Sequence, residues 1–430
     1  MVAPRLINTT DIGVTAAGFY GARGGRLMHL SDSFGAQQSG YTDAGVNPYK
    51  ALAGIAVALE VFSRGQFTFD PTNNKGVNGH TTAQMLARFD ADVLANAANF
   101  DILLIDGARN DPSTSKALGD ATIANLWAIV QRTVAMGKDP WVILPNPPRS
   151  YAPNTATDQK VRAYVNVEMQ RLCSVARIPF INPWRDLVDP SDNNGAWASG
   201  ISTDGLHTIN GKGPRLYAKR ALDTVGALYP KGPRVQSAWD QYDATYSPFG
   251  NALTLIGGLV PRFGGTGGTL SGGVTGVLAA GWFCACNSGT GSDVVASKVA
   301  AVAGYDSTGG DRQRFVIGTP LATAWSGELY SGFTIPAGLA GKQAVLEVEV
   351  ELTGWNTVLP GFAAYLRGGS AIGQMLNVTN IDNGERALLR TAPVTLGSAG
   401  ATCITAFGLY PGVGAAGTVD FMNPIMRPLT

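Results

Sequence analysis

The chain has 430 residues and a formal net charge of +1, which is more length than one hydrophobic core usually serves, so two domains are expected. Charged residues make up 15%, below the ~25% of ordinary soluble domains, and the 55 glycines point to a fold rich in tight turns rather than to disorder. A near-neutral chain without a basic run interleaved with aromatics is not expected to bind nucleic acid or a general membrane surface.

Residues 1–25 are polar and glycine-rich, and read as an N-terminal arm. They lack the charged, apolar, then small layout of a secretory leader. The longest apolar run, Ala51 to Phe62, is too short to span a bilayer and contains Glu60. A soluble protein without membrane insertion is the expectation. If it acts outside a cell, it arrives by a route other than a cleaved leader.

From Arg26 to about Tyr229, short apolar runs alternate with longer helix-like segments. Strands are expected at Arg26–Leu30, Gln66–Phe69, Asp101–Asp106, Trp141–Leu144 and Ile178–Ile181, each short and apolar as in a parallel sheet buried on both faces. Helices are expected at Tyr49–Phe62, Thr82–Ala97, Lys116–Met136, Ala156–Ala176 and Gly213–Leu228. This alternation predicts βαβ units and an α/β, flavodoxin-like, doubly wound three-layer domain over 26–232.

Pro230-Lys231-Gly232-Pro233 then breaks the helical pattern, and residues 233–273 read as a glycine-rich connector. From 274 to 430 short runs of strand composition predict an antiparallel β-sandwich of jelly-roll type, among them Arg314–Ile317, Ala344–Leu352, Gly361–Leu366, Arg386–Arg390, Thr402–Tyr410 and Thr418–Met422. The strict alternation of Val345 to Leu352 predicts a strand with one wet face. The four cysteines, Cys173, Cys284, Cys286 and Cys403, are scattered and read as free thiols, with no Cys-x-x-Cys framework for a metal.

In a doubly wound sheet, reactive groups lie at the carboxyl ends of the strands. The first such end carries Ser31-Asp32-Ser33, and the hydroxyl of Ser33 needs a neighbouring base to become a nucleophile. The loop after the fifth strand holds Asp204-Gly205-Leu206-His207. An aspartate three residues before a histidine can face the same way and orient its ring, leaving the other nitrogen for the serine proton. After the second strand, Gly79 offers a bare backbone N–H at a helix start; after the third, Asn110 offers a side-chain amide. His80 and Arg109 are candidates for substrate contact, Arg109 at the cleft mouth. His29 reads as a core histidine, and Asp32 and Asp111 as organisers of their own loops.

These residues, in this order, resemble the SGNH (GDSL-like) hydrolases, whose four blocks are Gly-Asp-Ser, a glycine, Gly-x-Asn-Asp and Asp-x-x-His. The matches are Ser31-Asp32-Ser33, Gly79, Ala108-Arg109-Asn110-Asp111 and Asp204-Gly205-Leu206-His207. Ser31 and Ala108 stand where the family carries glycine, with Gly107 one residue earlier, and His80 stands where an aspartate often follows the second block. The resemblance implies Ser33 as nucleophile, His207 as base, Asp204 as its orienter, and an oxyanion hole from the N–H groups of Ser33 and Gly79 with the amide of Asn110. It implies no metal and no organic cofactor.

A hydrolase domain of this kind joined to a β-sandwich resembles the esterases of phage tail fibres and tailspikes. The implied substrate is an O-acetylated polysaccharide, bound through aromatic platforms among Trp282, Trp325, Trp355, Tyr365 and Tyr410. A homo-oligomer, a trimer if tail-associated, is the implied assembly. Two other readings compete: a receptor-binding or structural tail protein that keeps the fold as a scaffold, and a small-acyl esterase or lipase without a glycan role.

Overall fold

Strand β1 spans Arg26–Ser31, β2 Tyr49–Ala51, β3 Thr68–Gly76, β4 Ile102–Asp106, β5 Asp139–Ile143 and β6 Phe180–Ile181 in a computed structural model. It describes residues 25–36, 49–51, 54–144, 155–191, 196–202, 204–208, 212–229, 251–255, 263–300, 311–369 and 371–429. The expected arm thus lies almost wholly outside the described residues, as do the Pro230–Pro233 break and much of the expected connector. The chain divides into two compact units, Met1–Gly40 with Leu52–Gly232, and Tyr41–Ala51 with Pro233–Thr430.

In the first unit the five strands are all parallel and lie in the order β3-β1-β4-β5-β6. Numbered within the sheet, this is the 2-1-3-4-5 order of flavodoxin-like domains. β4 and β5 are buried along their whole length, as a sheet covered on both faces requires. One apolar cluster joins β1 and β4 to the helices Thr82–Ala87, Lys116–Ala135 and Ala156–Ala176. Helices Ile55–Phe62 and Lys212–Thr224 pack together elsewhere in the unit.

Several expected elements differ; the last helix, expected over Gly213–Leu228, spans Lys212–Thr224 with a separate turn at Gly226–Leu228. The second strand continues from Phe69 through Asp70, Pro71 and Thr72 to Gly76, a polar extension that an edge strand tolerates. The amide of Asn73 fastens this extension to the carbonyl of Leu27 at 3.2 Å. The helix expected from Tyr49 begins only at Ile55, after the extended Gly54, and Tyr49–Ala51 instead pairs with Gln374–Leu376 of the second unit. The segment expected as one helix over Thr82–Ala97 breaks at Arg88, where φ is −93° and ψ 4°. Arg88 reaches back to hold the carbonyls of Ser31 and Lys75, both at 2.7 Å, at the ends of β1 and β3.

Among the described residues the second unit contains two seven-stranded sheets. Most pairings are antiparallel, with parallel pairs at the edges, such as Thr269–Leu270 beside Phe283–Cys284. That edge strand falls in the stretch expected to be connector. Phe407 of one sheet stacks on Phe421 of the other at 6.1 Å, and Phe362 meets Phe421 edge-on at 6.3 Å, so the core lies between the sheets.

The strand Gln343–Thr353 has no wet face. Glu347 and Glu349 are 5% and 2% exposed. Glu347 is held by Arg390 at 2.9 Å and Arg427 at 3.1 Å; Glu349 accepts from Asn423 at 2.9 Å. Buried carboxylates are tolerated when countercharges and donors surround them, which is the case here. Trp282, Trp325 and Trp355 are likewise core residues, exposed by 5% or less, so they cannot serve as open stacking platforms. Tyr365 and Tyr410 are half-buried, with their hydroxyls 3.1 Å apart. All four cysteines are free, and burial pushes the thiols of Cys173, Cys284 and Cys403 up to about 12, as for inert core sulfurs.

Candidate active site

Register brings the loops together. Ser31 lies opposite Gly76 on one side and Asp106 on the other. Ser33, Gly79 and Asn110 follow those three positions by a few residues, so all leave the sheet at the same carboxyl edge. Ser33 opens the one-turn helix Ser33–Ala36 and is buried. The Asp32 carboxylate caps that turn, accepting from the Phe34 N–H at 3.0 Å. Ser31, in the family's glycine position, continues β1 without positive φ. Its Oγ occupies space that Gly35 leaves open, since a Cβ there would come within 1.9 Å.

His207 reaches this turn from the loop after β6. Its Nε2 lies 2.8 Å from the Oγ of Ser33 and its Nδ1 2.7 Å from the Oδ2 of Asp204. The other oxygen of Asp204 accepts the backbone N–H groups of Leu206 at 2.8 Å and His207 at 2.7 Å, so one carboxylate sets both the turn and the ring. Partial burial would raise its pKa, but the bonds from the His207 backbone and ring and from Leu206 outweigh that and hold Asp204 far below the usual carboxylate range. A hydroxyl, imidazole and carboxylate joined in this order can draw the proton from the hydroxyl and stabilise the imidazolium that results. Sequence reasoning did not single out Trp197, whose indole N–H donates to the Gly205 carbonyl at 2.8 Å.

Gly79 has a φ of +75°, and an added Cβ would meet nothing within 4 Å, so glycine serves backbone conformation there rather than close packing. The two residues of the third block grip this loop. Asn110 donates from Nδ2 to the His80 carbonyl at 3.1 Å. Asp111 accepts the Thr82 N–H at 2.9 Å and also bonds the hydroxyls of Thr82 and Thr122. Asp111 therefore ties the start of helix Thr82–Ala87 to helix Lys116–Ala135, rather than bonding within its own loop as expected. His80 is partly exposed, with its Nδ1 buried and unpartnered among the described residues. Burial, reinforced by the Arg88 guanidinium, lowers its pKa and favours the neutral ring.

Arg109 is not at the cleft mouth. It is 7% exposed, and its guanidinium contacts Asp32 at 3.2 Å and also Asp106. The physical reason is charge: Asp32 and Asp106 are both buried and need a cation between them. Desolvation would lower the pKa of Arg109, but the two carboxylates outweigh it and fix the positive charge. Desolvation raises Asp32; in Asp106 it is outweighed by Arg109 and by His29, 3.5 Å away, so that carboxyl sits below its ordinary value. His29 is fully buried, as a core position requires. Ala108, in the family's glycine position, adopts a φ of +77°. Among the described residues no group of three or more His, Cys, Asp or Glu side chains is placed to hold a metal, and no helix is long and apolar enough to cross a membrane.

The parallel sheet order, with helices packed on it and a serine just beyond its first strand, defines a flavodoxin-like domain of SGNH type. Residues 32–210 match the GDSL-like Lipase/Acylhydrolase family, and this part of the chain is a domain of that family. No protein with a curated description matches the chain.

Among solved structures, the chain is similar to a GDSL-like lipase from Bacteroides thetaiotaomicron VPI-5482, with 16% identity over 47% of this chain and 88% of that one and a TM-score of 0.37. It is similar to a lipase/acylhydrolase from Enterococcus faecalis, with 18% identity over 47% and 95% and a TM-score of 0.34. It is also similar to an acetyl xylan esterase, with 15% identity over 46% and 99% and a TM-score of 0.34.

Proposed function

We propose that this protein is a serine carboxylic ester hydrolase. The observation that carries the reading is the unbroken chain from Ser33 Oγ to His207, 2.8 Å, and from His207 to Asp204, 2.7 Å, within a GDSL-like domain. Ser33 attacks the ester carbonyl as His207 takes its proton. Asp204 keeps the proton of the other ring nitrogen in place and stabilises the imidazolium. The oxyanion is received by the N–H groups of Ser33 and Gly79 and by the amide of Asn110. His207 returns its proton to the leaving alcohol, and water then releases the acyl group by the same steps in reverse roles. None of these steps calls on a metal or a cofactor.

The finer reading is an O-acetyl ester on a polysaccharide, cleaved by a phage-tail type of esterase acting outside the producing cell, in a trimeric assembly. Its support is the two-unit build, with a separate β-rich unit that presents the half-buried Tyr365 and Tyr410. His80, beside Gly79, is the candidate for contact with the acyl or sugar group.

Hydrolysis of p-nitrophenyl acetate by wild type and by Ser33→Ala tests the first reading: only the wild type turns over, and equal rates would remove the serine assignment. Acetate release from acetylated glycans, set against cleavage of long acyl esters, tests the second. A protein that cleaves only the long esters is a lipase without a glycan role.

A further inference from the structure

Arg109 touches the residues on both sides of Ser33. Its Nη1 lies 3.2 and 3.3 Å from the two carboxylate oxygens of Asp32, and its guanidinium carbon lies 3.5 Å from the ring centroid of Phe34. The same ring also meets the base: the Phe34 ring lies 5.4 Å from that of His207, tilted by 41°. Nη2 is anchored on Asp106, the last residue of β4, and the hydroxyl of buried Tyr217 bonds the same guanidinium. One planar cation thus ties the end of the neighbouring strand to the carboxylate before the serine and to the ring after it.

Charge neutralisation alone does not require this shape. An ammonium would neutralise Asp32 and Asp106, but it is a compact point charge that cannot span two carboxylates and lie flat on a ring at once. The planarity is used on Phe34, and Phe34 is the wall against which His207 rests.

We propose that Arg109 is a positioning residue for ester hydrolysis, setting the Ser33–His207 geometry by holding Asp32 through charge and Phe34 through its ring face. The inference rests on the reading of Ser33 as nucleophile. A displacement of the order of 1 Å between hydroxyl and imidazole is enough to slow attack strongly.

The test uses the full-length protein and a fluorophosphonate probe together with p-nitrophenyl acetate. In the probe reaction Ser33 Oγ forms a bond to phosphorus, fluoride leaves, and the serine proton passes to His207, so labelling reads nucleophile activation without an ester substrate. Arg109→Lys keeps the charge and loses the plane; Phe34→Leu keeps every ion pair and loses the ring. Each is expected to slow labelling and lower kcat per titrated site on the order of tenfold to a hundredfold, with KM within about twofold. The double variant is expected to be little worse than the poorer single one, because both remove the same brace.

Folded Arg109→Lys and Phe34→Leu proteins with wild-type kcat and labelling rates would overturn the inference and leave Arg109 a purely structural ion-pair partner. If Arg109→Lys does not fold, Phe34→Leu decides alone by the same two rates. A wild-type protein that the probe does not label at Ser33 overturns the esterase reading itself, which is a different result from slow labelling in the variants.

Discussion

The indole of Trp197 and the carbonyl of Gly205 are joined by a 2.8 Å hydrogen bond that props the Asp204–His207 turn from outside. Gly205 is at a φ of +73°, and the turn it makes brings the Asp204 carboxylate under the His207 ring. Replacing Trp197 by Phe keeps a ring and removes the donor. The expected result is a several-fold fall in kcat, with little change in KM and a loss of about 1 kcal/mol in stability, read by steady-state kinetics and denaturant unfolding.

Ala108 is held at a φ of +77°, in the left-handed region where a Cβ is opposed by its own backbone at a cost of roughly 1–2 kcal/mol. Ala108→Gly removes that strain but adds freedom to the unfolded chain, offsetting roughly 0.4–1 kcal/mol. A net gain of up to about 1.6 kcal/mol is expected, seen as a rise in the melting temperature of the first unit of roughly 2–4 °C for each kcal/mol gained. Ala108→Val should shift the midpoint the other way, because a β-branched side chain is least compatible with positive φ.

Asp204 should take no part in acid inactivation near pH 4, where carboxylates ordinarily titrate. Despite desolvation, its hydrogen bonds keep Asp204 charged through the range where carboxylates ordinarily titrate. The acid limb of log kcat/KM against pH is therefore expected to carry no contribution from Asp204 in the ordinary carboxylate range. A limb of slope two near pH 4 would show that Asp204 is not held as described. Asp204→Asn removes the acceptor that fixes the ring tautomer, and kcat is expected to fall on the order of a thousandfold or more.

Glu347 carries a pH-dependent part of the stability of the second unit. Desolvation would raise its pKa, but Arg427 and Arg390 overcome that and depress it. A depressed folded-state pKa gives stabilisation that is present above the unfolded value, about 4.3, and lost as pH falls through the folded one. Glu347→Gln leaves two buried guanidinium groups without their shared carboxylate, at a cost of about 3–5 kcal/mol near neutrality. Thermal melts of wild type and variant should converge as the pH is lowered below about 4, and a gap that persists at acid pH would contradict the pairing.

Much of the first unit was legible from local pattern. The helix Ala156–Ala176 has the expected bounds, with Pro179 just beyond its end as the local stop signal and a capping box of Thr155 and Asp158 at its start. The segments Ser31–Ser33, Gly76–Thr82 and Gly107–Asp111 were recognisable as strand ends for a similar reason. A buried parallel strand is a short apolar run, and the polar residues that follow it mark its carboxyl edge. The spacing of Asp204 and His207 also lies within one turn of chain, so their pairing could be anticipated from three residues of separation.

What sequence by itself determined, then, was the doubly wound order of strands and helices and the short polar segments at their ends. Only the tertiary structure decided which charges face water. Arg109 reads as a surface cation until β1 and β4 are side by side and enclose it between Asp32 and Asp106, 77 and 3 residues away in the chain. Glu347 reads as solvent-facing until the strands of Arg390 and Arg427, 43 and 80 residues distant, close on it. An alternating pattern records polarity, and polarity is satisfied equally by water or by a countercharge. Which of the two a side chain meets is set by long-range strand pairing, and that information is not local.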